Sequence, residues 1–314
     1  YVIENGRSQM VANSEGQVYK IKEFNNNIYL AHHEGLMLVE NGSARLLTEE
    51  KGAWDLISVP NSDELAVLGT YNGIRLFNLR SNKVVFEFEG FAESSRVMAF
   101  DEDALWITQG YKGAFKLVLD FDNGKVLSNQ LYNSDDGFPS DFLINVFEID
   151  GQLIFTAERG FYRYDKESDA FIPDDLFNQL LGENAAMVDL EEDALGNVFF
   201  IERDKVGQFT KTATGDYKLF INNFGTAKKR WNDDLGNINV LNNDQVLIGA
   251  REGFILYSRQ KDRIISPELR MGFDQINFLS KDGLFYNGHG PLLNENNSLP
   301  YTNNSLAFSF YSPD

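Results

Sequence analysis

The stretch that decides the fold is Leu65-Ala66-Val67-Leu68-Gly69-Thr70-Tyr71-Asn72-Gly73-Ile74. An apolar run, a short polar turn ending in glycine and a second apolar run is the pattern of two antiparallel strands joined by a hairpin. The same pattern stands upstream at Ile28-Tyr29-Leu30-Ala31-His32-His33-Glu34-Gly35-Leu36 and downstream at Leu105-Trp106-Ile107-Thr108-Gln109-Gly110-Tyr111-Lys112-Gly113-Ala114-Phe115. Further copies centre on Glu158-Arg159-Gly160, on Lys205-Val206-Gly207 and on Arg251-Glu252-Gly253, with a degenerate seventh at Asn287-Gly288-His289-Gly290. The turn glycines are Gly35, Gly73, Gly113, Gly160, Gly207, Gly253 and Gly290, at spacings of 38, 40, 47, 47, 46 and 37 residues. A period of about 40–50 residues with several strands per unit is the signature of a propeller. The long 3.6-residue stripes of a helical solenoid are missing.

Each unit reads as four strands. In the second they fall roughly at Trp54–Val59, Glu64–Gly69, Ile74–Asn78 and Lys83–Phe88, separated by Pro60-Asn61-Ser62-Asp63, Asn72-Gly73 and Arg80-Ser81-Asn82. In the fifth, Gly196-Asn197 turns the first strand into the second. One segment departs from the strand pattern: Asp174-Asp175 ahead of Leu176, Phe177, Leu180 and Leu181, with Gly182 behind, predicts a two-turn helix with an acidic cap. The sequence therefore predicts an all-β, seven-bladed β-propeller of four-stranded antiparallel blades over residues 1–298. The last blade is incomplete, and a strand from Tyr1–Val11 is expected to complete it and close the ring.

Composition narrows the function. The 314 residues carry a formal charge of −19, which argues against nucleic acid or anionic lipid as the main partner. With 43% hydrophobic residues and 26 Phe the chain is not disordered. Cysteine is absent, which rules out disulfides, thiol catalysis and zinc–thiolate sites. No apolar stretch reaches the ~18 residues of a membrane-spanning helix. The chain opens on Tyr1, and is expected to be part of a longer protein whose anchor and output domain lie elsewhere.

Catalytic patterns are scarce. The three histidines are His32, His33 and His289, with no further ligand at metal spacing, so they read as turn residues. No Gly-x-Ser-x-Gly elbow occurs. The acidic pairs Asp101-Glu102-Asp103, Asp135-Asp136, Asp174-Asp175 and Asp233-Asp234 could act together only at a fixed separation, and read first as solvated turns. Asp120-Phe121-Asp122-Asn123-Gly124 lacks the late glutamate of a calcium loop and reads as a hairpin turn.

The repeats resemble the two-component-regulator propellers of Bacteroidetes sensors. Glu192-Asp193 followed by Gly196-Asn197-Val198-Phe199-Phe200 is the nearest copy of that pattern. Residues 299–314, with Leu299-Pro300-Tyr301 and Leu306-Ala307-Phe308-Ser309-Phe310, look like the first strand of the triple-tyrosine (Y_Y_Y) immunoglobulin-like domain that follows such propellers. Gly69-Thr70-Tyr71-Asn72-Gly73 and Gly90-Phe91-Ala92-Glu93-Ser94-Ser95-Arg96 look like the LuxR-type one-component branch. The resemblance implies a periplasmic sensor module of a membrane receptor that ends in a kinase or a helix-turn-helix. Such a module acts in signal transduction and transcription regulation and binds without turnover.

Turn aromatics and arginines then mark the expected binding face. In a four-stranded blade the turn between strands two and three lies on the same side as the link to the next blade. Those positions hold Trp54, Tyr71, Arg96, Tyr111, Phe138, Asp141, Arg159 and Arg251, which are the candidate ligand-binding residues. Their chemistry suits stacking and forked hydrogen bonds to a small-molecule or glycan ligand, or contact with a partner protein. No cofactor, no nucleic acid and no membrane insertion are expected of this module, and the full receptor is expected to form a homodimer. The competing readings are a propeller hydrolase or lyase acting on carbohydrate, and a pure interaction or dimerisation scaffold.

Overall fold

The computed structural model describes residues 1–4, 7–48, 50–102, 104–202, 205–221, 236–242, 245–250, 253–258, 272–278, 284–286 and 305–311. The chain divides into two units, Tyr1–Arg259 and Gln260–Asp314.

The first unit is a propeller of antiparallel meanders. Blade one comprises Val18–Phe24, Asn27–His32, Gly35–Glu40 and Ser43–Leu46. Blade two comprises Ala53–Ser58, Leu65–Thr70, Ile74–Asn78 and Lys83–Glu87. Blade three is Val97–Phe100, Leu105–Gln109, Gly113–Asp120 and Lys125–Tyr132, and blade four is Asn145–Ile149, Gln152–Thr156, Phe161–Asp165 and Ala170–Pro173. Blade five holds Met187–Glu192, Val198–Glu202, Lys205–Lys211 and Tyr217–Phe220; blade six shows three strands, Ile238–Asn242, Gln245–Ala250 and Gly253–Ser258. The first strands of consecutive blades pack beside one another, as the inner wall of a propeller requires.

The packing explains why the decisive stretch is a continuous apolar run. Ala66 and Leu68 point into the layer shared with blade one, where they meet Tyr29, Leu36 and Leu56. Val67, between them, points into the layer shared with blade three, against Met98, Leu105 and Ile107. A strand sandwiched between two blades buries both faces, so strict alternation of apolar and polar residues disappears. Equivalent layers lie between blades three and four around Trp106 and Phe155, four and five around Phe161 and Phe200, and five and six around Ile201 and Ile248. The helix is Asp175–Leu181, as the sequence predicts: Asp174 accepts the Phe177 N–H at 2.9 Å, and Phe177 buries itself in the layer between blades four and five.

Three expectations need correction. The described residues form six blades, not seven. The expected seventh is a three-stranded sheet in the second unit, where Gly272–Phe278 is central and pairs with both Leu284–Tyr286 and Leu306–Tyr311. A meander would place its first strand at an edge. A strand–turn–glycine motif marks any hairpin, and its spacing does not say which edge the next strand joins. Second, the expected closing strand is a hairpin of its own, Val2–Glu4 with Arg7–Gln9. The following residues lie on blade one: Ala12 bridges to Ser43, and Val11 packs on Leu30, Met37 and Ala44. Third, Gly207 is not a turn residue. It pairs with Phe200 inside a strand, and a Cβ on it would stand 2.5 Å from the Phe200 ring. The degenerate repeat at Gly290 lies outside the described residues.

Candidate functional site

The strongest convergence of candidate residues is an aromatic cluster on the innermost strands of blades one and two. Each of these strands carries a β-bulge, between Val18 and Lys20 in one and between Ala53 and Asp55 in the other. The extra residue in each bulge is Tyr19 and Trp54. A bulge bends its strand and re-aims the side chain, and the two rings meet with centroids 4.3 Å apart. Tyr71, from the turn of blade two, closes on Trp54 at 5.1 Å. It can do so because Gly52 has no side chain: a Cβ there would stand 2.1 Å from the Tyr71 ring, and its φ of +87° favours glycine in any case.

Hydrogen bonds fix the cluster. The Tyr71 hydroxyl lies 2.6 Å from that of Tyr19 and 2.7 Å from His33 Nδ1. Trp54 Nε1 donates to Ser94 Oγ at 2.9 Å, and the Arg96 guanidinium lies 5.4 Å from the centroid of the Trp54 ring. Burial and the bond to Tyr71 push the Tyr19 hydroxyl up to about 12, so it stays a neutral donor at physiological pH. Tyr71 also forms one wall of a cavity of about 300 Å³ with Glu50, Lys51, Thr70, Asn72 and Arg75. Arg75 is buried and held by Thr70 Oγ1 at 2.8 Å, by Glu87 at 3.1 Å and by Glu50. The cavity is at the small end of the range for organic ligands. Its lining offers both charges, a hydroxyl and an amide, which suits a compact polar molecule.

Of the sequence candidates, Trp54, Tyr71 and Arg96 come together here. Tyr111 stands apart, exposed and edge-on to Phe142 at 6.5 Å. Phe138 is buried and stacks on Phe171 at 4.0 Å, within the layer of blades three and four. Asp141 ties a loop through Ser134, whose side chain and N–H (2.8 Å) both hydrogen-bond to it and hold its carboxyl below the usual range. Arg159 lines a second cavity of about 270 Å³ with Tyr162, Asn178, Glu183 and Asn184. Arg251 lies outside the described residues.

Sequence reasoning missed Tyr19, and it missed a set of charges on the innermost strands. Asp189 and Glu191 of blade five accept the backbone N–H groups of Ile238 and Val240, on the first strand of blade six. Lys20 and Lys22 of blade one are near enough to favour their ionised forms. Lys22 also pairs with the buried Asp55 at 3.4 Å. Burial dominates all the same: it raises the Asp189 carboxyl and pushes Glu191 to about 6. The alternation of Asp189, Leu190 and Glu191 was the available signal for two inward carboxylates.

The adjacent histidines do different work. His32 is buried, and its Nδ1 accepts the Glu34 N–H at 3.0 Å, which leaves the ring proton on Nε2. Asp120 accepts the N–H groups of Asp122 and Asn123 at 3.0 Å, so that segment is the expected hairpin turn.

No protein-family model matches the sequence, and no curated protein sequence does. Solved structures match the fold. The extracellular domain of BT4673 from B. thetaiotaomicron, assigned as a hybrid two-component system, aligns over 81% of this chain and 33% of its own, at TM-score 0.58 and 17% identity. The extracellular domain of BT3049 from the same organism, assigned likewise, aligns over 99% of this chain and 43% of its own, at TM-score 0.60 and 14% identity. The β-propeller domain of Cps50 (Swd1) from Myceliophteria thermophila aligns over 78% and 84%, at TM-score 0.52 and 9% identity. The class is thus a β-propeller, a fold that the matching parts of those two extracellular domains share. This chain spans a third to under a half of the length of those receptor domains.

Proposed function

We propose that this chain is a sensor module of an extracytoplasmic receptor, and that it binds a small polar ligand without turning it over. The observation that carries the reading is the cluster of Tyr19, Trp54, Tyr71, His33 and Arg96 beside the cavity at Arg75. It presents hydroxyls, a guanidinium and aromatic edges, and these are the groups that recognise a sugar-derived or otherwise hydroxyl-rich molecule. The fold likeness to extracellular receptor domains supports the periplasmic setting. In this reading residues 299–314 supply the first strand of a triple-tyrosine domain, with Leu306–Tyr311 paired to Gly272–Phe278, and a kinase or a LuxR-type regulator follows in the full receptor. The blades act as a rigid body, and ligand shifts their arrangement relative to the next domain or a second subunit.

Trp54 supplies the test, because it reports on the site itself. A panel of neutral and acidic oligosaccharides is titrated against tryptophan fluorescence, with release of reducing ends followed in parallel. Saturable quenching without turnover is the expected result, weakened in Arg96→Ala, with the heat of binding measured by calorimetry lost in Trp54→Phe. Turnover of any bound glycan would move the assignment to the enzyme class. Binding that survives both substitutions would remove the site.

A further inference from the structure

Nine described residues other than glycine have a left-handed backbone, and eight of them are Asn or Asp. The ninth is Leu143, with φ of +57°. Asn and Asp tolerate this conformation through local hydrogen bonds of their side chains, whereas a branched apolar side chain has no such compensation. The loop is nevertheless held firmly. Leu143 N–H donates to the Gly110 carbonyl at 3.0 Å, Glu158 N–H donates to the Phe142 carbonyl at 3.0 Å, and Ile144 is fully buried.

The strained turn does not bury Leu143. It leaves Phe142 52% and Leu143 46% exposed, next to Tyr111 at 81%, whose ring meets Phe142 edge-on. Strain kept in order to expose apolar surface points to contact with something outside the chain. The rim supplies the sign of that contact. Asp141 precedes Phe142 and ties down the turn that carries Asp135 and Asp136, and Glu158 bonds to the Phe142 carbonyl. Two cations adjoin these residues in sequence: Lys112, after Tyr111, is paired with Glu93 at 2.7 Å, and Arg159, after Glu158, lines a cavity with Glu183, so the carboxylates outnumber the cations.

We propose that Tyr111, Phe142 and Leu143 form a docking spot for a protein segment that presents an apolar side chain flanked by Lys or Arg. Charge complementarity selects this occupant. The acidic rim and the net charge of −19 repel an anionic lipid surface, and a second copy would bring the same carboxylates face to face. Its three exposed apolar side chains would serve as an interface anchor, around which a partner adds polar contacts. It involves neither Trp54 nor the cavity at Arg75, so it stands or falls apart from the ligand site.

The test uses the full chain and fluorescein-labelled peptides. KKFLKK is expected to bind saturably in low salt, more weakly in high salt, and at least tenfold more tightly than EEFLEE or KKAAKK. A Tyr111→Ser/Phe142→Ser variant should lose at least fivefold in affinity with an unchanged melting temperature. Leu143→Asn, which suits the left-handed backbone, should melt at the same or a higher temperature and bind more weakly. Each of these results overturns the proposal: no saturable binding of KKFLKK, equal binding of EEFLEE, affinity indifferent to the double variant, or variant-sensitive binding of phosphatidylglycerol vesicles. Concentration-dependent dimerisation abolished by the double variant would equally replace it with a self-interface.

Discussion

Asp189 accepts the backbone N–H of Ile238 at 2.8 Å, so a side chain of blade five caps the open edge of blade six. The innermost strand of a blade is hydrogen-bonded on one side only. Its other edge carries N–H groups that must find acceptors or water. Asp189 and Glu191 meet that need for Ile238 and Val240, two residues apart on one strand, from positions two residues apart on the other. The arrangement joins two blades without shared backbone pairing.

The same arrangement has a cost that depends on pH. Glu191 titrates at about 6 in the folded chain, against an ordinary value of 4.5. The folded state therefore binds this proton more tightly than the unfolded state does. The resulting stabilisation is full below pH ~4.5 and is lost as pH rises through ~6. Glu191→Gln keeps an oxygen for Val240 and removes the penalty of the buried charge. It should stabilise the chain at pH 8 by about 1–2 kcal/mol, and flatten stability between pH 4.5 and 6. Denaturant titrations at pH 5 and pH 8 test this. An equal loss of stability at both would show that the ion pairing with Lys20 and Lys22 outweighs desolvation.

Asp169 behaves in the opposite sense. Its carboxylate accepts hydrogen bonds from Tyr132 at 2.6 Å, from Tyr164, and from Gln130 at 3.2 Å, and these hold it at about 2. The folded value is depressed, so this contribution is present above pH ~4 and is lost as pH falls through about 2. Asp169→Asn retains the left-handed backbone that Asp169 adopts, with φ of +53°. It should lower stability at neutral pH and remove part of the acid-induced loss between pH 4 and 2. Thermal melts across that range read both effects.

The backbone at Gly52 gives a sharper structural test. Gly52→Ala would drive a Cβ into the Tyr71 ring. The ring must leave, taking with it the bonds to Tyr19 and His33 and the contact with Trp54. A loss of about 2–4 kcal/mol is expected from strain, overpacking and the broken cluster. The fluorescence of Trp54 should change with it. Crystallography or fluorescence that finds Trp54 and Tyr71 undisturbed would mean that the cluster does not depend on this close approach.

How much of this was legible in the sequence depends on the kind of signal. The blades were, because a strand that is buried on both faces leaves runs such as Ala66-Val67-Leu68, and hairpins leave glycines at their turns. So was the helix, where Asp174 and Gly182 bracket Phe177. The number of blades was not. Leu284-Phe285-Tyr286 reads as one more hairpin strand, and only pairing shows that it joins Gly272–Phe278 with Leu306–Tyr311 on the far edge. Two of the three rings of the aromatic cluster were legible for a similar reason. Trp54 and Tyr71 were visible near turns, but Tyr19 reaches them only because a bulge re-aims it, and a bulge leaves no mark in Val18-Tyr19-Lys20. Phe138 shows the converse: a turn aromatic that folds back into the core.

The N-terminus offers a last test, one that separates the hairpin from a ring-closing strand. Val2–Glu4 and Arg7–Gln9 pair with each other, and Tyr1, Val2 and Met10 are exposed. Val11 is different: it is 7% exposed and covers Leu30, Met37 and Ala44 on blade one, while Ala12 exchanges backbone hydrogen bonds with Gly42 and Ala44. Removing residues 1–9 should therefore leave the melting temperature nearly unchanged. Removing residues 1–12 should destabilise by about 1.5–3 kcal/mol, the worth of one buried valine, and by more if Leu30 and Met37 are bared. A chain that aggregates or unfolds on losing residues 1–9 would restore a structural role to the hairpin; a chain indifferent to losing 1–12 would show that blade one needs no cover on that face.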